Sequence, residues 1–179
     1  GDWAKPGYAA TGWLEPRIET AATGRLVAKV MPPVRAIETR PARSVTRAPN
    51  GEWIFDFGQN VVGWTRLRAT AADAQTATLR FAEMLNPDGT LYLANLRSAE
   101  AVDRYTFKDN KPVTWEPRFT FHGFRYAGLS GLDSAPDTTA LEAVVLHNDL
   151  IPTGEFACSD ERLNRLQQNI VWGQRGNYL

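Results

Sequence analysis

Trp53-Ile-Phe-Asp-Phe-Gly-Gln-Asn60, Arg80-Phe-Ala-Glu-Met-Leu-Asn-Pro-Asp-Gly-Thr90, Asn95-Leu-Arg97 and Trp115-Glu-Pro-Arg-Phe-Thr-Phe-His-Gly-Phe-Arg-Tyr126 succeed one another between Trp53 and Leu129. Aromatic and β-branched runs of this length, broken by turn chemistry, read as short strands. In 61–68 the odd positions are Val, Gly, Thr and Leu, whereas the even ones end Trp64, Arg66, Arg68. A period of two with one apolar face is that of a half-buried strand, and it puts Trp64 on an outer or interdomain face. In the same way Ala77, Leu79 and Phe81 share a core side, with Thr76, Thr78 and Arg80 opposite. Residues 141–146 are apolar on both faces apart from Glu142, so that strand should be covered on both sides.

Outward from this stretch the same grammar recurs, with β-prone runs at 26–30, 34–39, 44–48, 52–57, 61–70, 76–84, 102–108, 113–116, 119–129 and 139–148. The spacing predicts a mainly β chain folded as an antiparallel β-sandwich. Asn86-Pro-Asp-Gly89 has the residue order of a type I turn, and Asn50-Gly51 supplies the positive φ of a hairpin. Residues 1–16, with two Pro, three Gly, two Trp and a Tyr, read as irregular chain held by aromatic anchors. After Ile151-Pro152 the period changes. Ser159 can cap a helix over 160–174, Asp160 and Glu161 suit its positive end, and Leu163, Leu166 and Ile170 fall on one face. A lone amphipathic helix needs something to bury its stripe, which implies a truncated second domain. The expected division is 1–24 as a tail end and linker, 25–157 as the sandwich, and 158–179 as the first helix of that truncated domain.

The 179 residues can bury one good core, and 43% hydrophobic with 11% aromatic content describes an ordered chain. Twenty basic and twenty acidic residues cancel, leaving no field for a phosphate backbone and excluding nucleic acid as the expected partner. No run approaches the ~20 apolar residues of a membrane-spanning helix, and no basic region leading into an apolar run opens the chain. A signal peptide, if the parent has one, would lie outside it. Cys158 is the single cysteine, so no intrachain disulfide forms and the compartment stays open.

Asp56, Gln59 and Asn60 are polar groups at the end of an aromatic strand, and could form a small sugar-binding cluster. The alternative is that they tie down a tight turn at Gly58, as Asx side chains routinely do. His122 lies among bulky rings without a Ser or Cys nucleophile motif, which favours a satisfied structural histidine over a general base. His122, His147 and Cys158 lack the short spacing of a zinc site. Glycoside hydrolysis needs two carboxyl groups ~5 to 9.5 Å apart. Asp56, Glu83, Asp103, Glu116 and Glu142 are available, but strand carboxylates of this kind pair with neighbours such as Arg80, Arg104, Arg118 or Arg125. The loop Asn86 to Thr90 has oxygen side chains without the ligand spacing of a calcium loop. Trp3, Trp13, Trp53, Trp64 and Trp115 could stack on sugar rings or could be packing residues. Catalytic, cofactor-binding and metal residues are therefore all expected to be none.

Taken in order, the quoted motifs resemble the β-sandwich that precedes the catalytic barrel in bacterial α-L-rhamnosidases, family 78 of the glycoside hydrolases. The resemblance implies a concanavalin- or jelly-roll-like sandwich. It makes residues 2–13 similar to the end of an amino-terminal carbohydrate-binding-like β-domain, so that 1–24 becomes the tail of that preceding β-domain and linker, and 156–179 similar to the first helix of an (α/α)6 barrel. The family's catalytic acids lie beyond that helix and match no position here. The resemblance thus implies that the parent is an inverting hydrolase of terminal α-L-rhamnosyl groups. Its partners would be rhamnose-containing glycosides and the remainder of its own polypeptide. The fragment alone would be inactive scaffold, able to self-associate through the helix face. Two rival readings are a self-standing carbohydrate-binding module, with an exposed groove bearing convergent polar groups, and a structural interdomain scaffold.

Overall fold

The computed structural model describes residues 2–19 and 24–179, and the chain divides into two units, 1–30 and 31–179. In the first, a 3-10 turn spans Asp2–Ala4, the Trp13 amide donates to the Ala10 carbonyl, and Trp13 meets Tyr8 edge-on at 6.0 Å. The expected strand at 26–30 does not form. Its side chains are exposed and it has no ladder partner among the described residues, and a β-prone run without a partner has nothing to satisfy its backbone.

The second unit is an antiparallel sheet of eight strands curled around one core. They are β1 (Val34–Pro41), β2 (Ser44–Arg47), β3 (Trp53–Ala69), β4 (Thr76–Ala82), β5 (Val102–Thr106), β6 (Val113–Trp115), β7 (His122–Ser130) and β8 (Leu141–Asn148). The lateral order is β1-β8-β3-β7-β4-β5, with β2 and β6 flanking opposite ends of β3. The two runs expected at 52–57 and 61–70 are one 17-residue strand. Alternation keeps its phase throughout: Phe55, Phe57, Val61, Thr65 and Leu67 point inward and are buried. Ala77, Leu79, Phe81, Phe124, Ala127, Leu129, Leu141, Ala143 and Val145 meet them there. Gly63 is required by close approach, because a Cβ there would lie 1.9 Å from the Val144 carbonyl oxygen. A smaller apolar cluster on the outer face joins Ile54, Ala48, Ala82 and Leu91, roofed by Leu85 and Leu93.

Both turns behave as their residues demand. Gly89 N–H donates to Asn86 C=O, and Gly51, at φ 87°, donates to Ala48 C=O at the β2–β3 hairpin.

An α-helix, α1 (Glu161–Asn177), ends the unit. Its cap is Asp160 rather than Ser159: Asp160 is the last extended residue, and its carboxylate accepts from the Arg162 amide at 2.9 Å. The Asn164 side chain bonds both the amide and the carbonyl of Cys158, fixing the entry into the helix. The helix lies on β3 and β8, where it covers the outer face of a strand expected to be enclosed on both sides. The residues it half-buries are Asn164, Gln167, Val171, Trp172, Arg175 and Gly176. Leu163, Leu166 and Ile170 are turned away and are 48%, 53% and 56% exposed.

Candidate functional site

The motif around Gly58 builds a bulge. Asp56 pairs with Tyr126 and Val61 with Phe124, so four residues of β3, 57–60, stand opposite the single residue Arg125 of β7. Gly58 supplies the left-handed φ of 73° that the excursion needs. Asp56 then fastens it, accepting from Gly58 N–H at 2.6 Å and from Arg125 Nε and Nη2 at 2.9 and 2.8 Å. The two-pronged guanidinium contact, helped by the Gly58 amide, outweighs desolvation and holds the Asp56 carboxyl below the usual aspartate range. The same pairing raises Arg125. Asp56 is therefore part of the turn's fastening.

Gln59 and Asn60 are left at the mouth of a cleft between the bulge and α1. Its volume is about 440 Å³, and an adjoining hollow of about 360 Å³ shares Gln59, Asn60, Glu83 and Asn169 with it. Asn60 Nδ2 donates to Glu83 Oε1 at 2.8 Å, and Gln59 Nε2 donates to the Asn60 carbonyl at 3.0 Å. Val61, Val62 and Trp172 supply apolar surface. Trp172 is held by two guanidinium groups, Arg40 at 5.2 Å and Arg175 at 4.8 Å from its ring centre. Asn169, Trp172 and Asn177 were not singled out from the sequence. Trp172 falls on the side of the helical period opposite Leu163, Leu166 and Ile170, a position that only gains meaning once that side is known to face the sheet, while Asn169 flanks the stripe and Asn177 continues it by one heptad.

The carboxylates are spoken for by cross-strand neighbours, though mostly not the arginines expected. Register places Arg66 opposite Glu142, and Leu67 opposite Trp115. Arg66 Nε consequently donates to Glu116 at 2.6 Å and its Nη1 to Glu142 at 2.6 Å, while Arg68 reaches Glu142 at 3.0 Å. Burial pushes Glu142 up, but Arg68 and Arg66 together bring it below the usual glutamate range. Arg80 pairs with Glu52, and Glu83 with Asn60. Of the arginines named from sequence, only Arg125 meets one of the candidate carboxylates, Asp56.

His122 is held in place by packing and one polar contact: its ring stacks on Phe81 at 4.3 Å and 15°, and Nε2 lies 3.1 Å from Asp103 Oδ1. His147 is buried, with Nδ1 bonded to the Asn148 carbonyl at 2.7 Å. Asp88 Oδ1 accepts from both the hydroxyl and the amide of Thr90, which commits the Asn86 to Thr90 loop to its own turn. Trp53 and Trp115 pack against the core. Trp64 and Trp115 line a separate open hollow of about 920 Å³ with Phe119, and Trp64 Nε1 donates to Glu116 at 2.6 Å.

The overall fold recurs in known proteins. Residues 46–147 match the family described as the bacterial alpha-L-rhamnosidase concanavalin-like domain. The chain belongs to this family. Across 99% of its length the domain is 47% identical to an α-L-rhamnosidase of Streptomyces avermitilis, of which it covers 17%. It is 46% identical over 128 residues to one from Formosa agariphila, covering 70% of this chain and 14% of that one. The crystal structure of the Streptomyces avermitilis enzyme complexed with L-rhamnose superposes with a TM-score of 0.86. That of native α-L-rhamnosidase from Aspergillus terreus gives 0.84 at 35% identity, over 99% of this chain and 21% of that one. The chain thus spans about a sixth of the length of the curated Streptomyces relative. The expected mainly β, antiparallel architecture with one carboxy-terminal helix holds.

Proposed function

We propose that this chain is the noncatalytic concanavalin-like portion of a longer α-L-rhamnosidase, which hydrolyses terminal α-L-rhamnosyl groups of glycosides with inversion. In this reading 1–24 closes a preceding β-domain and links it, 25–157 is the sandwich, and 158–179 opens a helical catalytic barrel. The observation that carries it is the orientation of α1. A helix that lays Val171 and Trp172 on the sheet and leaves Leu163, Leu166 and Ile170 half-exposed has a second apolar face to cover. Further polypeptide packed there would be covered on its own inner side by the same stripe. The catalytic acid and base belong to that further polypeptide, and this portion acts as its scaffold.

Assaying the full-length protein and this chain side by side on a chromogenic α-L-rhamnoside tests the reading. Turnover by the first and none by the second is expected. Turnover by the 179-residue chain, or none by either, overturns it.

A further inference from the structure

We propose that the cleft between the β3 bulge and α1 binds a neutral saccharide, with Gln59, Asn60, Glu83 and Asn169 as its hydrogen-bonding wall. The first argument is conformational. Four residues are looped out of the ladder opposite one, at a glycine with left-handed φ, and an ion pair with two hydrogen bonds is devoted to holding them there. The buried alternation on either side of the excursion is in phase, so the core does not need it. Its effect is to lift the Gln59 and Asn60 side chains out of the sheet and aim them at the helix.

The second argument is chemical. A carboxamide offers a donor and an acceptor in one plane, which matches vicinal hydroxyls that each donate and accept. Gln59, Asn60, Asn169 and Asn177 all line this cleft. Among the described residues, Asn169 has no hydrogen-bond partner for its side chain, and the Gln59 and Asn60 side-chain oxygens accept from nothing. Glu83 retains a second oxygen beyond the one Asn60 uses. Val61, Val62 and Trp172 offer C–H surface to the apolar side of a pyranose ring, and the volume is in the range of small-ligand sites. An anion would meet the Glu83 carboxylate, and a cation would find that carboxylate alone. The helix wall and the sheet wall belong to different elements, so the ligand would bridge them.

The proposal rests on the α-L-rhamnosidase reading only for its choice of probe. The test is an NMR titration of the full 179-residue chain, tracking the side-chain amides of Gln59, Asn60 and Asn169 and the Trp172 indole. The probes are methyl α-L-rhamnoside, methyl α-D-glucoside and inorganic phosphate. Saturable shifts confined to those groups are expected with at least one glycoside and not with phosphate. Gln59→Ala and Asn169→Ala should each raise the Kd about fivefold, with the melting temperature unchanged. No shift with either glycoside, shifts with phosphate alone, or shifts centred on Trp64 and Trp115 instead would overturn it. Failure here leaves the turnover assay of the full-length protein untouched, and failure of that assay leaves a binding result with the glucoside standing.

Discussion

The two faces of the curled sheet obey different rules, although the same strands make both. Inward, β3, β4, β7 and β8 present Phe, Leu, Val and Ala with almost no exposure, and which side chains face in follows from alternation. Outward, the same strands carry an ion-pair network at Arg66, a small apolar cluster at Ile54, a bulge cleft at Gln59, and a helix. The inner face is specified by local period and the outer face by what arrives from far along the chain.

The largest effect should come from the inner face. Phe81→Ala removes a fully buried ring that also carries the His122 stack, and should cost about 3–5 kcal/mol in urea unfolding. Leu166→Ala, on the outward side of α1, should stay within about 0.5 kcal/mol in the same experiment. Equal losses would dissolve the distinction. Next comes Gly63→Ala, whose methyl would meet the Val144 backbone. A loss of about 1–3 kcal/mol is expected, from a crowding that side-chain rotation cannot relieve.

On the outer face the effects shrink. Asp56→Asn should cost about 1 kcal/mol, since its partner Arg125 is 40% exposed and its pairing is correspondingly screened. This loss has a pH signature. The folded-state value of Asp56 is depressed, first by the Arg125 hydrogen bond, so its contribution is complete above the unfolded aspartate value and is lost as pH falls through the folded one. The difference in melting temperature between wild type and Asp56→Asn should hold steady above about pH 5 and close toward zero in stronger acid. A gap that persists below the folded value would assign the loss to shape rather than charge.

The smallest effect on folding, and the clearest on association, belongs to the stripe of α1. Replacing Leu163, Leu166 and Ile170 together by Ser should leave the melting temperature of the chain within a few degrees of wild type while abolishing concentration-dependent association in sedimentation velocity. A wild-type chain that stays monomeric at high concentration with α1 ordered would remove the argument from the helix's second face.

This division also explains what could be read from residues alone. Ala77, Leu79 and Phe81 declared their side of β4 because a strand repeats every two residues wherever it sits. Both turns were legible because Pro87 has its φ preset, and Gly51 and Gly89 accept the positive φ that other residues avoid. The Leu163, Leu166 and Ile170 stripe was equally legible, including its being left uncovered within this chain; what the residues did not show is that the half-polar side carrying Val171 and Trp172 docks on the sheet. The cleft depended on bringing Asn169 to Gln59 from the far end of the chain, a juxtaposition no local period encodes. The cap moved by one residue from Ser159 to Asp160, because either side chain can accept from a first-turn amide and the backbone decides which. Residues 26–30 had strand composition and lacked a neighbour among the described residues.

The length and centrality of β3 also bear on when the domain can form during synthesis. β3 is bonded to β2 close by in sequence, yet its other partners arrive late: Gly63 waits for Val145, 82 residues on. The first strand is in the same position, since Val34 pairs with Asn148. Contacts of such separation are slow to close and leave sheet edges open meanwhile. On a translating ribosome the β2–β3 hairpin and the β3-β7-β4-β5 side of the sheet can form first, but β1 has no partner strand until β8 has cleared the exit tunnel. The domain therefore has to spend most of its own translation time with β1 unpaired, the interval in which a nascent-chain chaperone would find it.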